Sequence, residues 1–247
     1  MGTRVLKRPR RGGTFVLDVA AGLAAVLGTA GLSNATSTDD TALSCTLTPP
    51  ARVVVDKPFL QFNPTRSCTA GAPSNVTWVA SVGTTLTTDA WFLQRSTALS
   101  DVYSNDPMGT WTWKVTDPVD RPDVVFNQPT TDVRFKSAVT GTGVWDAATG
   151  TTTITFHVTR YDAATNKMIP WAGAVGTTWF HESPFRGDPP FTQGATYTTN
   201  SNGDVVFKST PARFDLVFRI EMADAPVTFG STSNLVLARA AKVVGTR

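Results

Sequence analysis

Only two histidines and two cysteines occur in 247 residues, which leaves little for a metal centre or an activated nucleophile to be built from. The motifs that carry common chemistries are missing too. There is no Gly-x-Ser-x-Gly elbow, no phosphate-cradling Gly-Lys loop and no dinucleotide fingerprint. His181-Glu182 begins like a zinc-protease motif, but no second histidine follows four residues after the first. A hydrolase assembled from distant residues is recognised by geometry alone and stays as a distant third reading. Apolar periodicity of the helical kind is also absent after residue 35, which excludes bundles and alternating α/β folds.

The chain has little excess charge once its start is set apart. Arg4, Lys7, Arg8, Arg10 and Arg11 form a basic head, Phe15 to Leu27 is mostly apolar with Asp18 inside it, and Ser33-Asn34-Ala35 supplies small residues. That order predicts an export signal over residues 1–35, using the general secretory route in preference to a twin-arginine one. The apolar run is shorter than the roughly 20 residues that span a bilayer, so no membrane span is expected in the mature chain. The signal holds five of the 22 basic residues and one of the 19 acidic ones, leaving 17 against 18, a net of −1. Nucleic-acid binding therefore has no electrostatic support.

What is abundant is strand chemistry. Phe214, Leu216, Phe218, Ile220 and Met222 alternate with Asp215, Val217, Arg219 and Glu221, the period of a strand with one face in a core. Asn202-Gly203 upstream suits a tight hairpin turn. Short strands separated by Pro, Gly and Asp turns recur from Leu43 onward. The expected fold is all-β: two tandem antiparallel immunoglobulin-like β-sandwiches, because roughly 210 residues exceed what one sandwich needs. Residues 36–40 form a disordered leader, 41–139 the first sandwich and 144–247 the second, with Thr140-Gly141-Thr142-Gly143 as the flexible linker. Asp146 to Gly150 and Asp162 to Asn166 are near-copies of one turn.

Cys45 and Cys68 are expected to form a disulfide in an exported chain, stapling two early strands or a loop. Their spacing is too short for the inter-sheet bridge of an antibody domain. His157 falls on the polar side of its strand and reads as solvent-facing. Trp111 and Trp113 share a face, which reads as core in preference to an aromatic platform for sugars. No cofactor is expected. Asn200 to Asp204 and Asp101 to Asp106 offer oxygens that calcium could use, without the twelve-residue loop pattern. The loop from 183 to 193 carries three prolines with Phe185, Arg186, Asp188 and Phe191, anchors of the kind enriched at interfaces, and Arg186-Gly187-Asp188 matches the cell-attachment tripeptide. A long connection whose Phe185 or Phe191 tucks back is the plainer reading.

Lys167 to Val175, Thr198 to Phe207, the Phe214 strand and Ser231 to Asn234 resemble a bacterial immunoglobulin-like or transthyretin-like extracellular module. With Asn75 to Trp78 and Gly109 to Trp113, the chain is similar to two-module secreted proteins of actinobacteria, over most of residues 41–240. The resemblance implies a fold and an extracellular setting and carries over no catalytic residue. The function expected is a non-enzymatic secreted or cell-surface binding or structural module with a protein or glycan partner. The alternative is a secreted inhibitor or protein ligand presenting the 183–193 loop.

Overall fold

Alternating apolar residues need a facing layer, and the chain supplies one twice over. The structure, a computed structural model, describes residues 42–117, 121–183, 190–211 and 213–240. The signal and leader, with Phe185, Arg186 and Asp188, lie outside the described residues. None of the described residues is helical. The first sandwich contains β1 (Leu43–Thr48), β2 (Arg52–Val55), β3 (Phe59–Phe62), β4 (Thr65–Cys68), β5 (Asn75–Val82), β6 (Thr85–Leu93), β7 (Ser100–Tyr103), β8 (Gly109–Asp117), β9 (Val124–Phe126) and β10 (Thr130–Phe135). The second contains β11 (Ser137–Asp146), β12 (Thr151–Asp162), β13 (Lys167–Pro170), β14 (Val175–Ser183), β15 (Thr192–Thr198), β16 (Asp204–Ser209), β17 (Asp215–Met222) and β18 (Val236–Ala238).

In the first sandwich a five-stranded sheet, β2-β10-β8-β5-β6, faces β4-β1-β9 and the β3-β7 pair. Trp78, Phe92, Trp111 and Trp113 fill the space between them, with no exposed surface. Pairing is antiparallel except at β1–β9 and β2–β10, which are parallel. Pro49-Pro50 explains the exception. Prolines cannot donate to a ladder, so the first extended segment breaks there and its halves join opposite sheets. In the second sandwich β11-β12-β13, with β16 also on β12, packs against β15-β14-β17-β18. Ile154, Phe156, Phe218 and Ile220 form its centre.

The strand that led the sequence reading is β17, with Phe218, Ile220 and Met222 buried and Leu216 packed against the core. Phe214 departs from the pattern. It precedes the strand, is 40% exposed and lies under the Arg213 guanidinium at 4.9 Å.

The expected linker is a second departure. Thr140 to Gly143 lies in the middle of β11, paired with His157 to Ile154. Gly141 and Gly143 are there for closeness, not flexibility: a Cβ on Gly141 would overlap Val236 and the Phe156 ring. The connection is instead Lys136 alone, between β10 and β11. Its N–H donates to the Val55 carbonyl at 2.9 Å, and its carbonyl accepts from Tyr161 N–H at 2.8 Å. Around it, Phe135 N–H donates to Val227 and Phe229 N–H to Phe135, while the Arg52 guanidinium sits 3.5 Å from the centre of the buried Phe229 ring.

The twin turns share their chemistry. Asp146 accepts from Ala148 N–H and the Thr149 hydroxyl, Asp162 from Thr165 N–H and its hydroxyl, and Gly150 and Asn166 end the turns at φ 62° and 55°.

Candidate binding site

Each described residue that was singled out from the sequence has a definite place. Cys45 and Cys68 are bonded and face each other across β1 and β4, with Cα atoms 4.1 Å apart. Trp111 and Trp113 are core, their indole N–H groups donating to the Pro107 carbonyl and the Thr131 hydroxyl. Phe191 tucks back, but onto the outer face of the second sandwich: Arg219 lies 4.2 Å from its ring centre and His181 meets it edge-on at 4.6 Å. His157 lies on the polar side of β12, its Nδ1 2.7 Å from the Asp204 carboxylate. Such a pair activates a nucleophile only when a hydroxyl or thiol is bonded to the other ring nitrogen, and among the described residues none is. The oxygens weighed for calcium serve their own backbone or neighbours. Asn200 Oδ1 accepts from Asn202 and Asp204 N–H, Asp106 from Tyr103 N–H, and Asp101 from Gln61. Burial raises the Asp106 pKa, opposed by that Tyr103 hydrogen bond.

The surface feature that the sequence reading passed over is Trp91. On β6, Ala90 and Phe92 take the core side with no exposure, so the residue between them must face out. Its indole is 62% exposed. It stands in an open cleft of about 680 Å³ with Asn63, Asp89, Leu93, Arg95 and Leu99. Asp89, Trp91 and Leu93 follow at a two-residue period along β6, while Arg95 to Leu99 comes back past them as the opposite wall. Leu99 is 65% and Leu93 48% exposed. Covering most of one tryptophan's surface is worth roughly 3 kcal/mol, a gain that no described residue of the chain supplies.

Three features hold the returning wall in place. The chain turns out of β6 at Gln94, whose φ of 54° is a left-handed conformation rare for a residue with a side chain. The Arg66 guanidinium then clamps the turn: Nε donates to the Arg95 carbonyl at 2.8 Å, one terminal nitrogen to Ser74 at 2.6 Å and the other to Pro73 at 3.3 Å. It also lies 5.4 Å from the Phe92 ring centre. Burial lowers its pKa from the ordinary arginine value. Backbone bonds complete the zip, Arg66 N–H to Ser96 and Ala98 N–H to Pro64, with a bridge between Thr65 and Thr97. The strand that carries Arg66 is β4, which Cys68 ties to β1.

Compared with known proteins, the sequence matches no family model and no curated protein. Among solved structures, the native conformation of E. coli alpha-2-macroglobulin is similar over 80% of this chain at 9% identity and a TM-score of 0.37. The chain spans 14% of that protein's length. The fibronectin(III)-like modules of Clostridium thermocellum CbhA are similar at 10% identity and a TM-score of 0.26, over 82% of this chain and 98% of theirs. The human OSCAR ligand-binding domain is similar at 10% identity and a TM-score of 0.27, over 78% and 96%.

Chemically, the cleft offers one flat apolar face and both kinds of polar group. The side chains of Asn63, Asp89, Arg95 and Thr97 have no hydrogen-bond partner among the described residues, although all line the same space. Part of the backbone around them is committed. Asp89 O accepts from the Ser100 hydroxyl at 2.7 Å, and Asp101 N–H donates to the Thr88 hydroxyl at 3.2 Å.

Proposed function

We propose that this chain is exported and acts outside the cytoplasm as a non-enzymatic binding module, with the Trp91 cleft as its ligand site. The observation that carries the reading is a solvent-facing indole set against a wall that Arg66 and the zip to β4 hold stiff. Ordering the wall in advance removes an entropic cost that a ligand would otherwise bear. Export is supported by the basic and apolar order of residues 1–35 and by the Cys45–Cys68 bridge, which belongs to oxidising compartments.

The test is a binding survey over proteins and glycans with the parent chain and Trp91→Ala. At least one ligand whose capture falls with the substitution is expected; a set of captured ligands indifferent to it refutes the site. N-terminal sequencing of protein recovered from the culture medium checks export, with a start near residue 36 expected.

A second reading has its own observation. Phe191, fixed between Arg219 and His181, anchors one end of the 183–193 loop to the sheet, as a segment presented to a protein target would require. A Phe185→Ala, Arg186→Ala double variant should then lose protein partners that Trp91→Ala keeps.

A further inference from the structure

We propose that the ligand of the Trp91 cleft is a neutral polysaccharide, one pyranose ring stacking on the indole and its hydroxyls bonding to Asp89, Asn63 and Arg95. The inference rests on the binding-module reading and adds the ligand class.

Side-chain chemistry and charge select it. A peptide bound by strand addition would be held by backbone hydrogen bonds along the β6 border. Backbone near the cleft is partly committed, the Ser96 and Pro64 carbonyls to Arg66 and Ala98 and the Asp89 carbonyl to Ser100, but β6 pairs only with β5 and no described residue bonds its outer border at Trp91 and Leu93, so the peptide arm of the test decides between the two ligands. The side chains unpaired among the described residues are a carboxylate, a guanidinium, an amide and a hydroxyl around one exposed aromatic face. A sugar ring matches that set. Its C–H face is apolar and its rim carries groups that both donate and accept, so Asp89 can accept from two hydroxyls while Arg95 and Asn63 donate. Charge selects the subclass, because one carboxylate and one guanidinium leave the cleft without net field, favouring an uncharged polymer over a polyanion. Openness fits a chain in preference to a free monosaccharide, since no described residue closes over the indole.

The experiment is affinity electrophoresis of the full chain through gels containing soluble neutral glucans, mannans, xylans or arabinogalactans. Gels with a sulfated polysaccharide, and an immobilised peptide library, serve as the other arms. Retardation by at least one neutral polymer is expected, unchanged in about 1 M salt. It should weaken about tenfold in Trp91→Ala and less in Trp91→Phe. Leu86→Ala, exposed on the same strand but outside the cleft, should bind as the parent does. Acrylamide quenching of Trp91 fluorescence, relieved by the polymer, reports the same contact. Trp91-dependent capture of peptides with no neutral polymer bound overturns the sugar assignment and leaves the binding-module reading standing. Retardation only by the sulfated polymer, abolished by salt, overturns it as well. No Trp91-dependent ligand in any arm overturns both.

Discussion

Replacing Arg66 by alanine removes the clamp on the cleft wall, and the structure gives the size of the loss. Two short charge-assisted bonds, to Arg95 and Ser74, and a longer one to Pro73 disappear. Such bonds are worth about 1.5–3 kcal/mol each when sheltered, and water takes over part of that at a half-exposed site. A net loss of ~2–3 kcal/mol follows, including a small share from the Phe92 contact. For a chain of this size that lowers Tm by roughly 5–12 °C. The more telling assay is native-state hydrogen exchange. The Ala98 amide, bonded to Pro64, should exchange about 30-fold faster if ~2 kcal/mol of local protection goes. The Trp171 amide, bonded to Val158 in the other sandwich, is the control and should hardly change. Arg66→Lys should fall between, because one ammonium cannot fork to three carbonyls. Equal acceleration at Ala98 and Trp171, or none at Ala98, would falsify the clamp.

Three further outcomes are expected. Cys45→Ser with Cys68→Ser opens a loop of 23 residues and should cost roughly 3 kcal/mol, read as a fall in the denaturation midpoint with unchanged strand content by circular dichroism. Gly141→Ala should cost about 1–3 kcal/mol by overpacking against Val236 and Phe156, whereas Thr142→Ala on the exposed side should stay within about 0.5 kcal/mol; equal effects would mean that β11 has room. The Thr149 and Thr165 hydroxyls hold the Asp146 and Asp162 carboxyls below the ordinary carboxylate range. A depressed folded pKa gives stability that is complete above the unfolded value and lost as pH falls through the folded one. The double Asn variant should therefore show a shallower acid limb in a melting-temperature titration.

Strand content could be read from the sequence because alternation and turn residues are local properties. β17 falls where the Phe214 to Met222 alternation puts it, and the Asp-initiated turns do what their spacing implies. Other features depend on partners distant in sequence. β4, Thr-Arg-Ser-Cys, has almost no apolar content and is a strand because it pairs with β1. Gly141 and Gly143 look like a hinge until Val236 arrives beside them. The cleft was hidden for the same reason. Trp91 and Trp111 both sit in alternating strands, and only the packing of Phe92 against Trp78 at 5.7 Å decides which of β6's faces is inside. Arg66 gave no signal, since its three acceptors are main-chain carbonyls at positions 73, 74 and 95.

The order β2-β10-β8-β5-β6 has a consequence for reach. The seam with the second sandwich occupies the β2 and β10 border, and Trp91 stands at the opposite border, four strand spacings or roughly 19 Å away. A long polymer can thus run past β6 without colliding with the neighbouring module. A ligand held at β6 would leave the second sandwich uncovered.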